Sequence, residues 1–194
     1  QYIKIWSGVK AGLNYDSLIN WKNQNFDLTN DEIRLATEYV SSNVLGNHYL
    51  NFSKPKNEKN INFLIEKSKK YKKTITIILS GIEEDFSVLA SGTTVIGLNK
   101  QKVFFDQIEW VKKIIEFSEI NKDIFFIIRP HPREWLKRKN NEYSENYYHL
   151  KNLFDKIKND NCFIDYPELN ISVYDYIQIT DLFLTNGSST FIDF

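Results

Sequence analysis

Residues 124–132 read IFFIIRPHP, an unbroken apolar run that ends in an arginine and two prolines. An apolar run without polar alternation is typical of a β-strand that is covered on both faces. Residues 74–79 (TITIIL), 162–164 (CFI) and 182–184 (LFL) have a similar character and predict three more strands. Strands that are buried on both faces belong to parallel sheets, so the sequence predicts an α/β protein.

Longer segments with helical periodicity separate these strands. Residues 103–117 and 144–158 place apolar side chains three and four positions apart, which predicts two crossover helices, and a shorter helix is predicted at residues 172–179. The alternation of strands and helices predicts a doubly wound, Rossmann-like parallel sheet. Right-handed crossovers would bring the carboxyl ends of all these strands to one edge, where open α/β sheets bind ligands.

The first 60 residues carry weaker patterns, which predict a strand at residues 2–6 and a helix at residues 31–42, followed by a polar linker. A lysine-rich helix is predicted at residues 61–71. We therefore assign residues 1–60 to a linker with partial preceding elements and residues 61–194 to one Rossmann-like domain. Because the chain starts inside a predicted strand and stops after a strand-to-helix turn, we expect it to be truncated at both ends and the domain to be incomplete at its C-terminus.

The composition excludes several classes of protein. Lys and Arg together number 25, as do Asp and Glu, so no net field draws the chain to nucleic acid, and a bound anion must be held by a local site. The single cysteine, Cys162, lies in an apolar run and predicts a buried, inert thiol in a reducing compartment. No run approaches the roughly 18 apolar residues that span a membrane. We expect a soluble cytoplasmic protein.

The loop after the strand at 124–128 carries the first candidate site. Arg129 and His131 are followed closely by a second arginine, and the intervening prolines restrict the backbone. Guanidinium groups bind phosphate oxygens in pairs, and an imidazole can donate to a further oxygen. The loop therefore predicts a phosphate site, with a stiff turn that exposes its charges to water as the competing interpretation.

A second candidate loop follows the last predicted strand. Gly187 allows a tight turn, and Ser188, Ser189 and Thr190 offer hydroxyls and backbone N–H groups at the start of a predicted helix, where anions bind. A plain helix N-cap is the competing interpretation of this loop. Because both loops end strands of one sheet, they are expected at the same edge, and their coincidence favours one shared anion site.

Other residues are candidates on less evidence. Ser80 and Gly81 end the first strand in the same way, and we expect backbone contacts to the ligand there. Asp175, just ahead of the last strand, is a weaker candidate. The base that takes a proton from the attacking group is expected in a missing N-terminal lobe, with Glu84 as a distant candidate. His131 has no second ligand at a metal-like spacing, so no metal site is predicted.

Together these motifs resemble the carboxyl-terminal domain of GT-B glycosyltransferases of the capsule polysaccharide biosynthesis type, over residues 74–194. In related transferases that use CMP-activated acids such as Kdo or sialic acid, an HP motif and a paired-serine motif hold the nucleotide and its phosphate. The matching positions here are His131-Pro132 and Ser188-Ser189. The resemblance implies a nucleotide-sugar donor, a polysaccharide or glycolipid acceptor, metal-independent transfer without a cofactor, and peripheral inner-membrane association through parts of the protein outside this chain.

The glycerophosphotransferases that polymerise teichoic acid from CDP-glycerol are also similar, with an Arg-x-His-Pro loop and an Asp-Tyr-Ser-Ser turn. This chain has Asn186-Gly187 in place of that Asp-Tyr, and residues 5–8 (IWSG) lack the histidine of their Trp-His-Gly motif. A nucleotide-sugar epimerase and a non-catalytic binding module are further alternatives. We expect a glycosyltransferase of surface polysaccharide or lipopolysaccharide synthesis with His131 as its catalytic residue. The residues expected to bind the nucleotide and its phosphate are Ser80, Gly81, Arg129, Gly187, Ser188, Ser189 and Thr190.

Overall fold

A computed structural model describes residues 28–45, 58–81, 103–135, 137, 141–186 and 188. The helices in these ranges are α1 (Asn30–Val44), α2 (Glu58–Ser68), α3 (Gln107–Ile120) and α4 (Glu145–Phe154). The strands are β1 (Lys73–Ile78), β2 (Ile124–Arg129), β3 (Cys162–Ile164) and β4 (Leu182–Thr185). Short 3₁₀ helices lie at Pro132–Trp135, Pro167–Leu169 and Val173–Gln178.

The four strands form one all-parallel sheet in the order β3-β2-β1-β4. All four strands were predicted, and no strand end differs from the prediction by more than one residue. From β1 the chain moves outward through β2 to β3, and it then returns to the other side of β1 as β4. The predicted α/β class with a Rossmann-like parallel sheet is therefore confirmed for the part of the chain that the structure describes.

Helices cover both faces of this sheet. On one face, α3 and α4 bury a core that includes Ile77, Phe126 and Leu150. On the other face, α2 and the 3₁₀ helix at Val173–Gln178 pack against Phe125 and its neighbours. Because alternate strand residues point to opposite faces, apolar side chains are required at successive positions, which explains the unbroken apolar runs.

Capping side chains set helix bounds that periodicity alone placed less well. The helix predicted at 103–117 begins only at Gln107, because the Asp106 carboxylate accepts a hydrogen bond from the Glu109 N–H at 2.8 Å. The Ser144 hydroxyl caps α4 in the same way at 3.0 Å, and that helix ends at Phe154 rather than at residue 158. Polar residues next to an apolar stripe therefore decided where these helices start.

The amino-terminal helices agree with the prediction in type and differ in their bounds. A capping box begins α1, since the Thr29 N–H donates to Glu32 Oε2 at 2.8 Å and the Glu32 N–H donates to Thr29 Oγ1 at 3.3 Å. The lysine-rich α2 begins and ends three residues earlier than predicted. None of the helices within the described ranges is long and apolar enough to cross a membrane. The predicted strand at 2–6 lies outside the described residues.

The thiol of Cys162 lies in the core between β3 and α3, as predicted. Burial raises its pKa to about 11. At pH 8 roughly one native thiol in a thousand is then ionised, against roughly one in four for an unfolded chain. We expect thiol reagents to label the native chain about two hundredfold more slowly than the urea-unfolded chain, with a rate that rises tenfold per pH unit between pH 8 and 10. Labelling of native and unfolded chains at equal rates would contradict this.

Candidate functional site

The loops that follow β1, β2 and β4 meet at the carboxyl edge of the sheet. The Ser80 hydroxyl donates to Asn186 Oδ1 at 2.8 Å, and the Ser80 N–H lies 3.2 Å from the same oxygen. On its other side the β1 loop touches the β2 loop, since a Cβ placed on Gly81 would lie 3.4 Å from Nδ1 of His131. Ser80 and Gly81 thus connect the loop that carries His131, after β2, to the start of the serine-rich loop after β4. We call the first of these the histidine loop.

Gln107, the first residue of α3, holds the β1 loop from a third direction. Its Oε1 accepts from the Ser80 N–H at 3.0 Å, and its Nε2 donates to the Ser80 carbonyl at 3.1 Å. Gln107 and Ser80 are both buried. The backbone N–H of Ser80 therefore already has protein acceptors, so this residue fixes the loop geometry. Gln107 was not among the predicted site residues, because no local sequence pattern marks it.

The ring of His131 is oriented by its own loop. The Arg133 N–H donates to Nδ1 of His131 at 3.2 Å, and the Glu134 N–H donates to the His131 carbonyl at 3.0 Å. When Nδ1 accepts a hydrogen bond, the proton of a neutral imidazole is on Nε2. The half-exposed ring therefore carries its donor at the end away from the loop backbone.

A buried carboxylate joins this loop to α4. Glu134 is 3% exposed, and its Oε2 accepts a hydrogen bond from the Ser144 hydroxyl. The same hydroxyl oxygen caps α4 by accepting from the Tyr147 N–H. The 3₁₀ turn after His131 is thus held against a core helix, and this contact lowers the freedom of the histidine loop.

Arg129 lies in a different environment from His131. Its guanidinium forms a buried ion pair with Asp165, donates to the Ile171 carbonyl at 2.9 Å, and lies 5.9 Å from the centre of the Tyr176 ring. Burial raises the pKa of Asp165, and the positive charge of Arg129 acts in the opposite direction. The guanidinium of Arg129, which the sequence predicted to bind phosphate, is thus held by Asp165 and the Ile171 carbonyl.

The serine-rich loop is described only in part. The Ser188 N–H donates to Thr185 Oγ1 at 3.0 Å, and Ser188 is 9% exposed, so the loop turns back onto the end of β4. Gly187, Ser189 and Thr190 lie outside the described residues, as does Glu84. Asp175 is described and is buried within its 3₁₀ helix.

A separate groove of about 350 Å³ lies at the opposite edge, near the starts of β1 and β4. Its lysines have acidic partners: Lys73 Nζ lies 2.7 Å from Asp181 Oδ1, and Lys72 Nζ lies 3.0 Å from Asp123 Oδ2. Open α/β sheets bind their ligands at the carboxyl edge. We therefore place the candidate site at the carboxyl edge and not in this groove.

The described part of the carboxyl edge places the oriented imidazole of His131 directly against Gly81, whose missing side chain allows this close contact. No group of three or more His, Cys, Asp or Glu side chains within the described ranges is placed to hold a metal ion. The chain matches no protein-family model, no curated protein and no solved structure. What this edge binds is therefore argued from its chemistry alone.

Proposed function

We propose that this chain is the nucleotide-sugar-binding part of a cytoplasmic GT-B glycosyltransferase, with a doubly wound domain, that extends a bacterial surface polysaccharide or lipopolysaccharide. The observation that carries the proposal is the meeting of Ser80, Gly81, His131 and Asn186 at one edge. Ser80 and Asn186 lie where the strand order reverses between β1 and β4, and His131 lies beside them at the end of β2. This is the position at which open α/β sheets bind nucleotides.

The chemistry of transfer explains the residue types. The bond from the anomeric carbon to the phosphate oxygen breaks, and the acceptor hydroxyl oxygen bonds to that carbon after a base outside the described residues takes its proton. Negative charge then builds on the leaving phosphate. The Nε2 proton of His131 stabilises this charge, together with the hydroxyls of the serine-rich loop. Arg129 acts through Asp165 as a positioning residue for the end of β2.

Calorimetric titration of the intact protein with CMP, UDP, GDP and CDP-glycerol tests the proposal. We expect one nucleotide to bind with a micromolar Kd, and the matching nucleoside, which lacks the phosphate, to bind at least about a hundredfold more weakly. His149 is an exposed histidine on α4, outside the candidate site. Its exchange for alanine should leave the Kd of the bound nucleotide unchanged. Absence of binding by all four ligands would refute the nucleotide site.

Turnover by the intact protein separates the remaining alternatives. Extension of a polysaccharide acceptor supports the transferase, whereas release of a free epimerised sugar supports an epimerase of the same architecture. Transfer of glycerol phosphate from CDP-glycerol would assign the chain to the glycerophosphotransferases. Nucleotide binding with no turnover of any donor would identify a binding module.

A further inference from the structure

Five aromatic residues form a cluster beside the His131 loop, which we term the aromatic surface. The Tyr143 and Tyr147 rings stack with centroids 4.0 Å apart and an interplanar angle of 14°. Tyr147 also makes edge contacts with Trp135 at 5.0 Å and with Tyr148 at 5.2 Å. Tyr166 lies 5.7 Å from Trp135 and completes the surface.

The aromatic surface lies at the same edge of the sheet as the candidate site. Trp135 ends the 3₁₀ turn that begins immediately after His131, and Tyr147 and Tyr148 belong to the first turn of α4. Tyr166 comes two residues after β3 ends. At roughly 2 Å of rise per residue in a 3₁₀ turn, Trp135 is within about 8 Å of His131 along the chain. The surface therefore adjoins His131 on its β2–β3 side, while Ser80 lies on its β1–β4 side.

The surface has a fixed base and an open outer side. Trp135 stacks on Phe154, which is 4% exposed and belongs to the core. Tyr148 is 57% exposed, and Tyr143 and Tyr147 are half-buried. Aromatic side chains that are already packed in this way lose little conformational freedom when a ligand binds.

The chemistry of these rings suits a carbohydrate. A sugar ring presents apolar C–H groups on its faces and hydroxyls around its rim, and tyrosine offers an apolar ring face with a hydroxyl that donates and accepts. Burial raises the pKa of Tyr147 and of Tyr166, so both hydroxyls keep their protons at neutral pH. Stacked tyrosines can therefore meet both parts of a saccharide.

Charged residues of both signs surround the surface. Lys137 lies 5.8 Å from the Tyr143 ring centre, and Lys151 pairs with Asp155 on α4. The sequence between Trp135 and α4 contains the basic run Lys137-Arg138-Lys139 and the acidic residue Glu142. Binding to vesicles of anionic lipid is therefore an outcome that the test must separate from saccharide binding.

We propose that the aromatic surface binds the saccharide acceptor, so that the growing chain reaches His131 from the β2–β3 side while the nucleotide occupies the β1–β4 side. This inference rests on the proposed function. It adds a second binding surface to the same edge and names its ligand as a saccharide of several sugar units.

The inference is tested by titrating the intact protein with maltohexaose, chitohexaose and an oligomer of sialic acid. Quenching of tryptophan fluorescence measures the binding. We expect at least one of them to bind and exchange of Tyr148 for alanine to weaken that binding roughly tenfold. Tyr148→Trp, which keeps a ring, should retain most of the affinity. Tyr39→Ala, at a similarly exposed tyrosine on α1, is the matched control and should have no effect.

The outcomes separate this inference from the proposed function, because CMP, UDP, GDP and CDP-glycerol are titrated against the same variants. Tyr148→Ala should bind nucleotide as the parent does, and circular dichroism should show an unchanged fold. The inference is overturned if none of the saccharides binds, if Tyr148→Ala binds them normally, or if Tyr148→Ala loses only binding to vesicles of anionic lipid. Saccharide binding that depends on Tyr148, in a protein that binds no nucleotide, would support the surface and reject the transferase.

Discussion

Exchange of His131 for asparagine is expected to slow glycosyl transfer about a hundredfold or more while the fold is kept. The asparagine Oδ1 can replace Nδ1 as acceptor of the Arg133 N–H, so the loop retains its hydrogen bond. The donor at Nε2 is lost, however, and a preorganised donor to developing charge contributes about 2.7–4 kcal/mol to transition-state stabilisation. The kcat of polysaccharide extension, measured at saturating donor, should therefore fall far more than the affinity for donor.

Two variants show whether the donor itself is responsible. His131→Gln places an amide donor near the former Nε2 position and should recover part of the rate. His149→Ala removes an exposed histidine that pairs only weakly with Glu145 across 3.6 Å, and it should retain the parental rate. If His131→Asn extended the polysaccharide with the parental kcat, His131 would not act on the phosphate.

Exchange of Arg129 for methionine is expected to lower the free energy of unfolding by about 3–5 kcal/mol, because it leaves the Asp165 carboxylate buried without its cation. The side chains of the pair are 11% and 2% exposed, so water compensates little for the loss. Urea unfolding at pH 8, followed by circular dichroism, measures the change as a shift in the midpoint.

An exposed ion pair provides the control for this effect. Lys73 and Asp181 lie 2.7 Å apart with side chains 64% and 39% exposed, so water screens the pair and Lys73→Met should shift the urea midpoint far less than Arg129→Met does. The double variant Arg129→Met, Asp165→Leu should recover much of the loss, since both charges are gone. If Arg129→Met and Lys73→Met shifted the urea midpoint equally, the buried ion pair would contribute no more to stability than the exposed one.

The loss in Arg129→Met should depend on pH in a defined direction. Burial raises the pKa of Asp165, and the loss of Arg129 removes the largest effect that opposes this rise, which leaves only the Tyr176 hydroxyl to lower the pKa. A raised pKa in the folded state means that the folded chain binds more protons, so stability falls as the pH rises above the unfolded value of about 3.9. The free energy of unfolding of Arg129→Met should therefore be closest to that of the parent below about pH 4.

The strands were predictable because their cause is local. The run at 124–128 is apolar at every position, and the run at 74–79 is interrupted only by Thr74 and Thr76, as suits strands covered on both faces. The observed register pairs the two strands directly. Helix starts were less predictable, because Asp106 and Ser144 act as caps only once the chain geometry lets their oxygens reach a backbone N–H.

The contacts of the candidate site residues were less predictable for the same physical reason. Arg129 follows a strand and carries a charge, so it looked suited to phosphate, yet its ion-pair partner Asp165 is 36 positions away in sequence. Gln107 holds Ser80 across 27 positions, and nothing near it in sequence indicates this role. Contacts between distant segments depend on the arrangement of the sheet, which a local pattern does not contain.

The sequence by itself determined that the chain forms buried parallel strands linked by helices, and that a histidine loop and a serine-rich loop follow two of them. These features depend on side-chain periodicity and on the backbone limits of proline and glycine, which act over a few residues. Only the tertiary structure decided which strand ends became neighbours. The order β3-β2-β1-β4 brings Ser80 to Asn186 and Gly81 to His131, because β1 lies between β4 and β2 and its loop therefore touches the loops that follow both.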